Sequence, residues 1–350
     1  MAVIKDSKGR WGFSVRYKNA FGETKQKKMV NKSWTKKQAK LEEEKFLASA
    51  TNTAISLNEL RTIYMESMQL KLRTSTCIRK DNYYNKRIGP YLGKMNITKI
   101  DENIIEKWQT EMINTNLKFS TIKGIQAELM AMLKFAYKRR YISRPIIVDY
   151  IKSEMPEEET IKFITKEQFE KLSNYIKENS DQYLYVLIQL LYYSGMRISE
   201  ALALTNLDID NNIVTVSKSI SARTNKITKT KTGKTRKVVL SDRIIDLLNS
   251  QIKYYQARGM KKTIYLFGGD KPYTYGHIRN NYSLICNQLK IYPNNVHALR
   301  HTHVSNLISL GFNVFEISDR TGHSVQMINK VYGHVIINPQ FEMAEKLENL

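Results

Sequence analysis

Between positions 197 and 332 of this 350-residue chain, six side chains, Arg197, Lys231, His297, Arg300, His323 and Tyr332, combine fixed cations, proton carriers and a hydroxyl nucleophile. Such a set can attack a phosphodiester without metal or nucleotide. Cations stabilise the charge that develops on the non-bridging oxygens, an acid protonates the departing oxygen, and the hydroxyl displaces it. A tyrosine suits this work because its phenolic pKa of about 10 makes it a usable nucleophile beside cations and an adequate leaving group in reverse.

The elements that must hold these groups are legible around them. An apolar run from Tyr183 to Tyr193 predicts a buried helix that ends at Ser194-Gly195, with Arg197 opening the next helix. A cation at that boundary is preorganised by packing on both sides. Glu200, three residues on, shares its helical face and is placed to support Arg197 or a neighbouring group, although the same spacing also describes an ordinary surface pair. Ile213–Val216 and Arg236–Leu240 read as strands around a basic connection with Lys231 at its turn beside Thr232-Gly233, and with Lys229 and Lys234 as neighbouring lysines. His297 and Arg300 lie one turn apart on a helix that starts after Pro293-Asn294-Asn295, where both reach a single phosphate. His301 and His303 follow; the three histidines do not share one face and there is no cysteine cluster, so zinc is not expected and His301 and His303 read as structural. Gly322 permits a sharp turn that presents His323.

In order, the segments Ser194-Gly195-Met196-Arg197-Ile198-Ser199-Glu200-Ala201-Leu202, Lys229-Thr230-Lys231-Thr232-Gly233, His297-Ala298-Leu299-Arg300-His301-Thr302 and Thr321-Gly322-His323, with Tyr332-Gly333-His334 nine residues after His323, resemble the tyrosine recombinase (phage integrase) family. The resemblance implies the roles. Tyr332 attacks the scissile phosphate in line, Arg197 and Arg300 hold its oxygens, and Lys231, chosen over Lys229 and Lys234 on the resemblance alone, protonates the leaving 5′ oxygen. His297 and His323 position the phosphate or manage the tyrosine proton. A 3′-phosphotyrosine then stores the bond energy for religation, with no cofactor and no metal.

Charge agrees with a polyphosphate partner. The 56 Lys and Arg against 33 Asp and Glu leave a net charge of +23, and each cation that neutralises a phosphate releases a condensed counterion. The excess is clustered in residues 1–50 and 211–241; the second segment holds Lys218, Arg223, Lys226, Lys229, Lys231, Lys234, Arg236 and Lys237 and no acidic residue. No apolar stretch is long enough for a membrane span and the N-terminus lacks a secretory apolar region, so a membrane partner is not expected. The two cysteines, Cys77 and Cys286, suit a reduced cytoplasm.

The fold class expected is α+β and multidomain: a small three-stranded sheet plus helix at the N-terminus, a helical domain, and a mostly α catalytic domain with a small sheet. Trp11, Phe13, Val15 and Tyr17 alternate as a strand with one buried face, a second strand runs from Lys25 to Val30, and Thr35-Lys36-Lys37-Gln38 starts a helix reaching about Leu47. Residues 1–52 resemble the arm-type DNA-binding domain of integrases, with Arg10, Arg16, Lys18, Lys27 and Lys28 as DNA contacts beside Lys229 and Lys234. A capping box at Ser56-Leu57-Asn58-Glu59 opens residues 53–152, a bundle of about four helices resembling the family's SAM-like core-binding domain. Its aromatic residues fall on apolar stripes and read as core. An acidic linker spans 153–164, and a capping box at Thr165-Lys166-Glu167-Gln168 opens the catalytic domain, 165–350.

The reading that follows is a site-specific integrase of a phage or integrative element, cytoplasmic in a bacterial host. It works as a homotetramer on double-stranded DNA at core and arm-type attachment sites, with a DNA-bending host factor and an excisionase as further partners. A type IB topoisomerase and a non-catalytic DNA-binding regulator on the same fold are the alternatives. The tail with Phe341, Met343, Ala344, Leu347 and Leu350 has apolar residues at near-helical spacing; packing onto its own domain is the simple reading, and the family resemblance implies docking on a neighbouring protomer instead.

Overall fold

The computed structural model describes residues 3–18, 24–51, 55–151, 163–230, 233–260 and 262–332. The chain divides into two compact units, Met1–Glu157 and Glu158–Leu350.

In the first unit, strands β1 (Val3–Lys5), β2 (Trp11–Lys18) and β3 (Thr24–Asn31) form an antiparallel sheet in that order. The alternation along β2 buries Phe13 and Val15 against helix α1 (Lys36–Thr51), where Ala39 is fully enclosed. Trp34 stacks on Phe13 with ring centroids 6.3 Å apart, and Phe46 packs on it at a tilt, 5.6 Å away. Thr35 and Gln38 form the anticipated capping box, and α1 extends to Thr51, past the expected end near Leu47.

A separate core is built from α2 (Leu57–Gln69), α3 (Thr74–Tyr83), a π-helical turn continuing into α4 (Gly89–Leu92), α5 (Glu102–Ile113) and α6 (Phe119–Lys138). The Ser56/Glu59 capping box closes both of its hydrogen bonds. Trp108 and Tyr64 are buried, as their place on the apolar stripes predicts, and so is Tyr84; Tyr91 and Tyr137 depart from the expectation that the aromatic residues are core, because they lie on outward faces and are exposed. Inside the bundle, Glu128 of α6 is ion-paired with Lys80 of α3, and Arg61 of α2 reaches Asp81 at 2.5 Å. The side-chain amides of Gln109 and Gln126 both donate to the Asp149 carbonyl, at 2.7 and 2.9 Å, which pins the segment leaving the bundle.

The second unit centres on α8 (Gln182–Ser194), apolar nearly all round and therefore enclosed by α7 (Lys166–Asn179), α10 (Asp242–Gln256) and α12 (His297–Ser309). Thr165 and Gln168 cap α7 as anticipated. After the short α9 (Ile198–Ala201), β5 (Ile213–Val216) is the central strand of an antiparallel sheet, paired with β4 (Ile209–Asp210) on one side and β8 (Arg236–Val239) on the other. The connection between β5 and β8 is more structured than a single basic loop: β6 (Lys218–Ile220) and β7 (Ile227–Lys229) form their own two-stranded sheet. Three further helices complete the described α-helical elements: α11 (Tyr275–Gln288), α13 (Val314–Thr321) and α14 (Val325–Tyr332). Among the described residues, no helix is long and apolar enough to cross a membrane.

A buried arginine cluster around Tyr332

Two left-handed glycines set the frame. Gly195, at φ 64°, ends α8 and turns the chain so that Arg197 caps α9; Gly322, at φ 70°, ends α13 and turns His323 inward. Neither turn suits a residue with a Cβ, and at Gly195 a Cβ would also lie 2.3 Å from Cδ2 of His303.

Arg300, on α12, is 1% exposed. Its Nη1 donates to the Gly195 carbonyl at 2.6 Å and its Nε to His323 Nε2 at 3.1 Å, while Nη2 is buried without a partner among the described residues. Burial, followed by the charge of Arg197, pushes its pKa down to about 9, so it remains a cation at neutral pH. A buried guanidinium with one unused donor is costly until an anion meets it. Arg197, half-buried, reaches the Gly322 carbonyl at 3.4 Å and so leans toward the same turn.

The carboxylate of Glu200, 1% exposed, organises the cations. It accepts from Arg197 Nη1 at 2.9 Å, from the Arg197 backbone N–H at 3.0 Å and from Arg236 Nη2 at 2.6 Å. Burial raises its pKa, but the Arg236 hydrogen bond and the two guanidinium charges outweigh burial, and the group stays ionised. Arg236, on β8, also donates to the Arg320 carbonyl at 3.1 Å. Arg197 and Arg236 thus share a single carboxylate with the Arg300 charge near it, and the positive surplus calls for an anionic ligand.

The histidines divide into distinct jobs. His323 Nε2 accepts from Arg300, so its proton sits on Nδ1, 3.2 Å from Thr321 Oγ1; the Thr321 hydroxyl itself donates to the Ile317 carbonyl at 2.6 Å. Burial and then the Arg300 and Arg197 charges drive its pKa down to about 2. His323 thus holds Arg300 through Nε2 and Thr321 through Nδ1, and among the described residues the Tyr332 hydroxyl meets His301 rather than His323. His303 lies behind the site, with Nδ1 donating to the Tyr192 carbonyl at 2.8 Å and Nε2 accepting from Arg320. His297 is exposed at the rim, makes no side-chain hydrogen bond among the described residues, and meets His301 edge-on with centroids 4.9 Å apart. His301, set aside as structural from sequence, has Nδ1 2.6 Å from the Tyr332 hydroxyl.

Tyr332 ends α14, 2% exposed and packed on Val304, Ile317 and Ile328. Burial pushes its pKa up to about 12, opposed by Arg300. Five of the six sequence-selected residues thus converge from four elements. The sixth, Lys231, and Thr232 lie outside the described residues, as do Gly333, His334 and the tail from Phe341 to Leu350. Lys229 and Lys234 are exposed.

Of the basic residues expected to contact DNA, the β2–β3 register puts Arg16 and Lys28 on the sheet face away from α1 and Lys27, opposite Val15, on the α1 side. Arg10 is held by Asp6 at 2.6 Å, and Lys18 pairs through its backbone with Thr24, its side chain lying outside the described residues. Arg236 and His301 are the site residues that sequence reasoning missed. For His301 a signal was present, because it stands four residues from His297 on the same face; for Arg236 only tertiary proximity reveals the role.

Comparison with known proteins agrees with the geometry. The phage integrase family pattern matches residues 162–337, and the phage integrase N-terminal SAM-like domain matches residues 56–113. The ICEBs1 integrase of Bacillus subtilis (strain 168) is 27% identical over 311 residues, covering 85% of this chain and 84% of that one. A tyrosine recombinase of Pseudothermotoga lettingae is 31% identical over 189 residues, 53% of this chain and 60% of that one. The fold is shared with the Tn1549 transposon integrase in complex with a circular intermediate DNA, at TM-score 0.69, 20% identity and coverage of 85% and 100% of the two chains. It is also shared with a lambda integrase tetramer bound to a Holliday junction, at TM-score 0.63, 13% identity and coverage of 92% and 95%. The chain belongs to the phage integrase family and is a site-specific DNA recombinase of the tyrosine type, an enzyme that breaks and rejoins DNA strands.

Proposed function

We propose that Tyr332 is the nucleophile and that Arg197 and Arg300 bind the scissile phosphate of double-stranded DNA, with Lys231 as the acid for the 5′ oxygen. The observation that carries this reading is the buried Nη2 of Arg300, without a partner among the described residues, in a cluster richer in guanidinium than in carboxylate, beside a buried phenol. Phosphate entering the cluster satisfies Nη2 and offsets the surplus charge, and it gives Arg197 and His297 a ligand at the rim. As Tyr332 attacks, charge grows on the non-bridging oxygens, where the cations are already in place and need no reorganisation. The phosphotyrosine conserves the bond energy, and a 5′ hydroxyl from a partner strand reverses the step.

Residues 165–350 act as the catalytic domain, 53–152 as the core-binding domain and 1–52 as the arm-type domain, with 153–164 as linker. The DNA-bound Tn1549 integrase supports work on DNA, the lambda integrase tetramer bound to a Holliday junction supports work as a tetramer on two duplexes, and the ICEBs1 integrase supports integration of a mobile element, with excision as the reverse of the same chemistry. A host bending factor and an excisionase are proposed partners.

The test uses nicked duplexes recovered by covalent capture from a randomised pool. The wild-type chain forms a detergent-resistant adduct on the 3′ phosphate. Tyr332→Phe binds the same duplex and forms none; an adduct with that variant overturns the assignment.

A further inference from the structure

We propose that His301 is the base that takes the Tyr332 phenolic proton during strand cleavage. The inference rests on Tyr332 as nucleophile and assigns its activation.

The contact between His301 Nδ1 and the Tyr332 hydroxyl, 2.6 Å, is the hydrogen bond a proton-transfer pair requires. The other imidazoles are otherwise disposed. His323 has Nε2 occupied by Arg300 and Nδ1 directed at Thr321. His303 is bound to the Tyr192 carbonyl and Arg320. His297 touches the ring of His301 and makes no hydrogen bond to the phenol among the described residues. The charged and titratable groups around His301 are His297 and Arg300 from its own helix, His323 from the turn after α13 and Tyr332 from α14. Burial, and then the Arg300 charge, lower its pKa, which keeps the ring neutral with a lone pair for the phenol.

The step balances. The Tyr332 O–H proton moves to His301 Nδ1 as the phenolic oxygen forms its bond to phosphorus. The bond from phosphorus to the 5′ oxygen breaks, and that oxygen takes a proton from Lys231. The imidazolium sits beside the phosphate it helped to engage. In religation it returns its proton to the departing phenolate while Lys231 accepts the proton of the attacking hydroxyl.

The experiment follows adduct formation on the captured nicked duplex from pH 5 to 9. The wild-type rate rises at acid pH and reaches a plateau by about pH 7. His301→Gln, which keeps a hydrogen-bond acceptor but has no proton site, falls by about a hundred- to ten-thousand-fold and climbs about tenfold per pH unit, because solvent must now take the proton. In His301→Gly, added imidazole restores rate in proportion to its free base. A wild-type rate that keeps climbing through pH 9, a His301→Gln profile parallel to wild type, or a folded His301→Gly chain that imidazole does not rescue overturns the proposal. An adduct in Tyr332→Phe instead overturns the nucleophile assignment, so the two failures are distinct.

Discussion

The Nε–H of Arg300 donates to Nε2 of His323 at 3.1 Å, and this fixes the charge state of both residues: the guanidinium is the cation and the imidazole is its neutral acceptor. The pair carries a pH signature. His323 has its pKa lowered to about 2 and His303 to about 4, burial being the first cause in each. In the unfolded chain both titrate near 6.5. Between that value and the folded pKa the unfolded state binds more protons, so stability is fully present above about pH 6.5 and is lost as pH falls below it, by up to ~1.4 kcal/mol per pH unit per histidine. Urea midpoints of the full chain should drop between pH 6.5 and 4. The drop should be shallower in His323→Gln and His303→Gln; a pH-independent midpoint counts against the neutral assignment.

Glu200 should be the least replaceable carboxylate. Its oxygens hold Arg197 and Arg236 at 2.9 and 2.6 Å in a site where it is 1% exposed. Removing one member of a buried pair leaves its partners' charge uncompensated and costs about 3–5 kcal/mol. Glu200→Ala should lose stability on that scale and form no adduct. Glu200→Gln, which keeps a hydrogen-bond acceptor, should recover much of the stability while Arg197 loosens and cleavage stays about a hundred-fold down. Parallel urea melts and adduct rates measure both.

What was legible in the sequence was local. The capping boxes at Ser56 and Thr165 and the glycine turns at Gly195 and Gly322 each arise within a few residues, so their backbone needs are written in place. The apolar surface of Tyr183–Tyr193 announced a central helix for the same reason. Arg236 reaches Glu200 across 36 positions and His301 reaches Tyr332 across 31; those approaches depend on how β8 and α14 dock, which periodicity does not encode. The β6–β7 pair was hidden because its strands are three residues long and largely polar. The sheet pattern placed Phe13 and Val15 inside, but sorting Arg16 and Lys28 from Lys27 required the register.

That sorting yields a salt-dependence prediction. If the face of the N-terminal sheet away from α1 lies on DNA, Arg16→Ala and Lys28→Ala should each weaken binding across sequences and reduce the slope of log K against log salt by about one. Lys27→Ala, on the α1 side, should change the slope less. Arg10→Ala should act mainly on the β1–β2 turn, where Arg10 is held by Asp6. Titrations of each full-length variant on one duplex at several salt concentrations decide this, and equal slopes for all four would remove the sheet face as the contact surface.

Gly195 offers a test of how the site is braced from behind. Its carbonyl holds Arg300 Nη1 at 2.6 Å, its φ is 64°, and His303 stands where a Cβ would need to be. His303 is itself fixed by the Tyr192 carbonyl and by Arg320, which also donates to the Tyr193 and Val239 carbonyls. Gly195→Ala therefore meets two penalties: about 1 kcal/mol or more for the left-handed backbone, and the clash with the imidazole. Only the clash is relieved by shortening position 303. His303→Ala should cost stability alone, yet in the Gly195→Ala background it should be less harmful than in the wild type. A double-mutant cycle should return a coupling of about 1 kcal/mol or more in stability and a parallel coupling in adduct rate, because displacement of the Gly195 carbonyl moves Arg300. Additive effects would mean that His303 does not brace the turn.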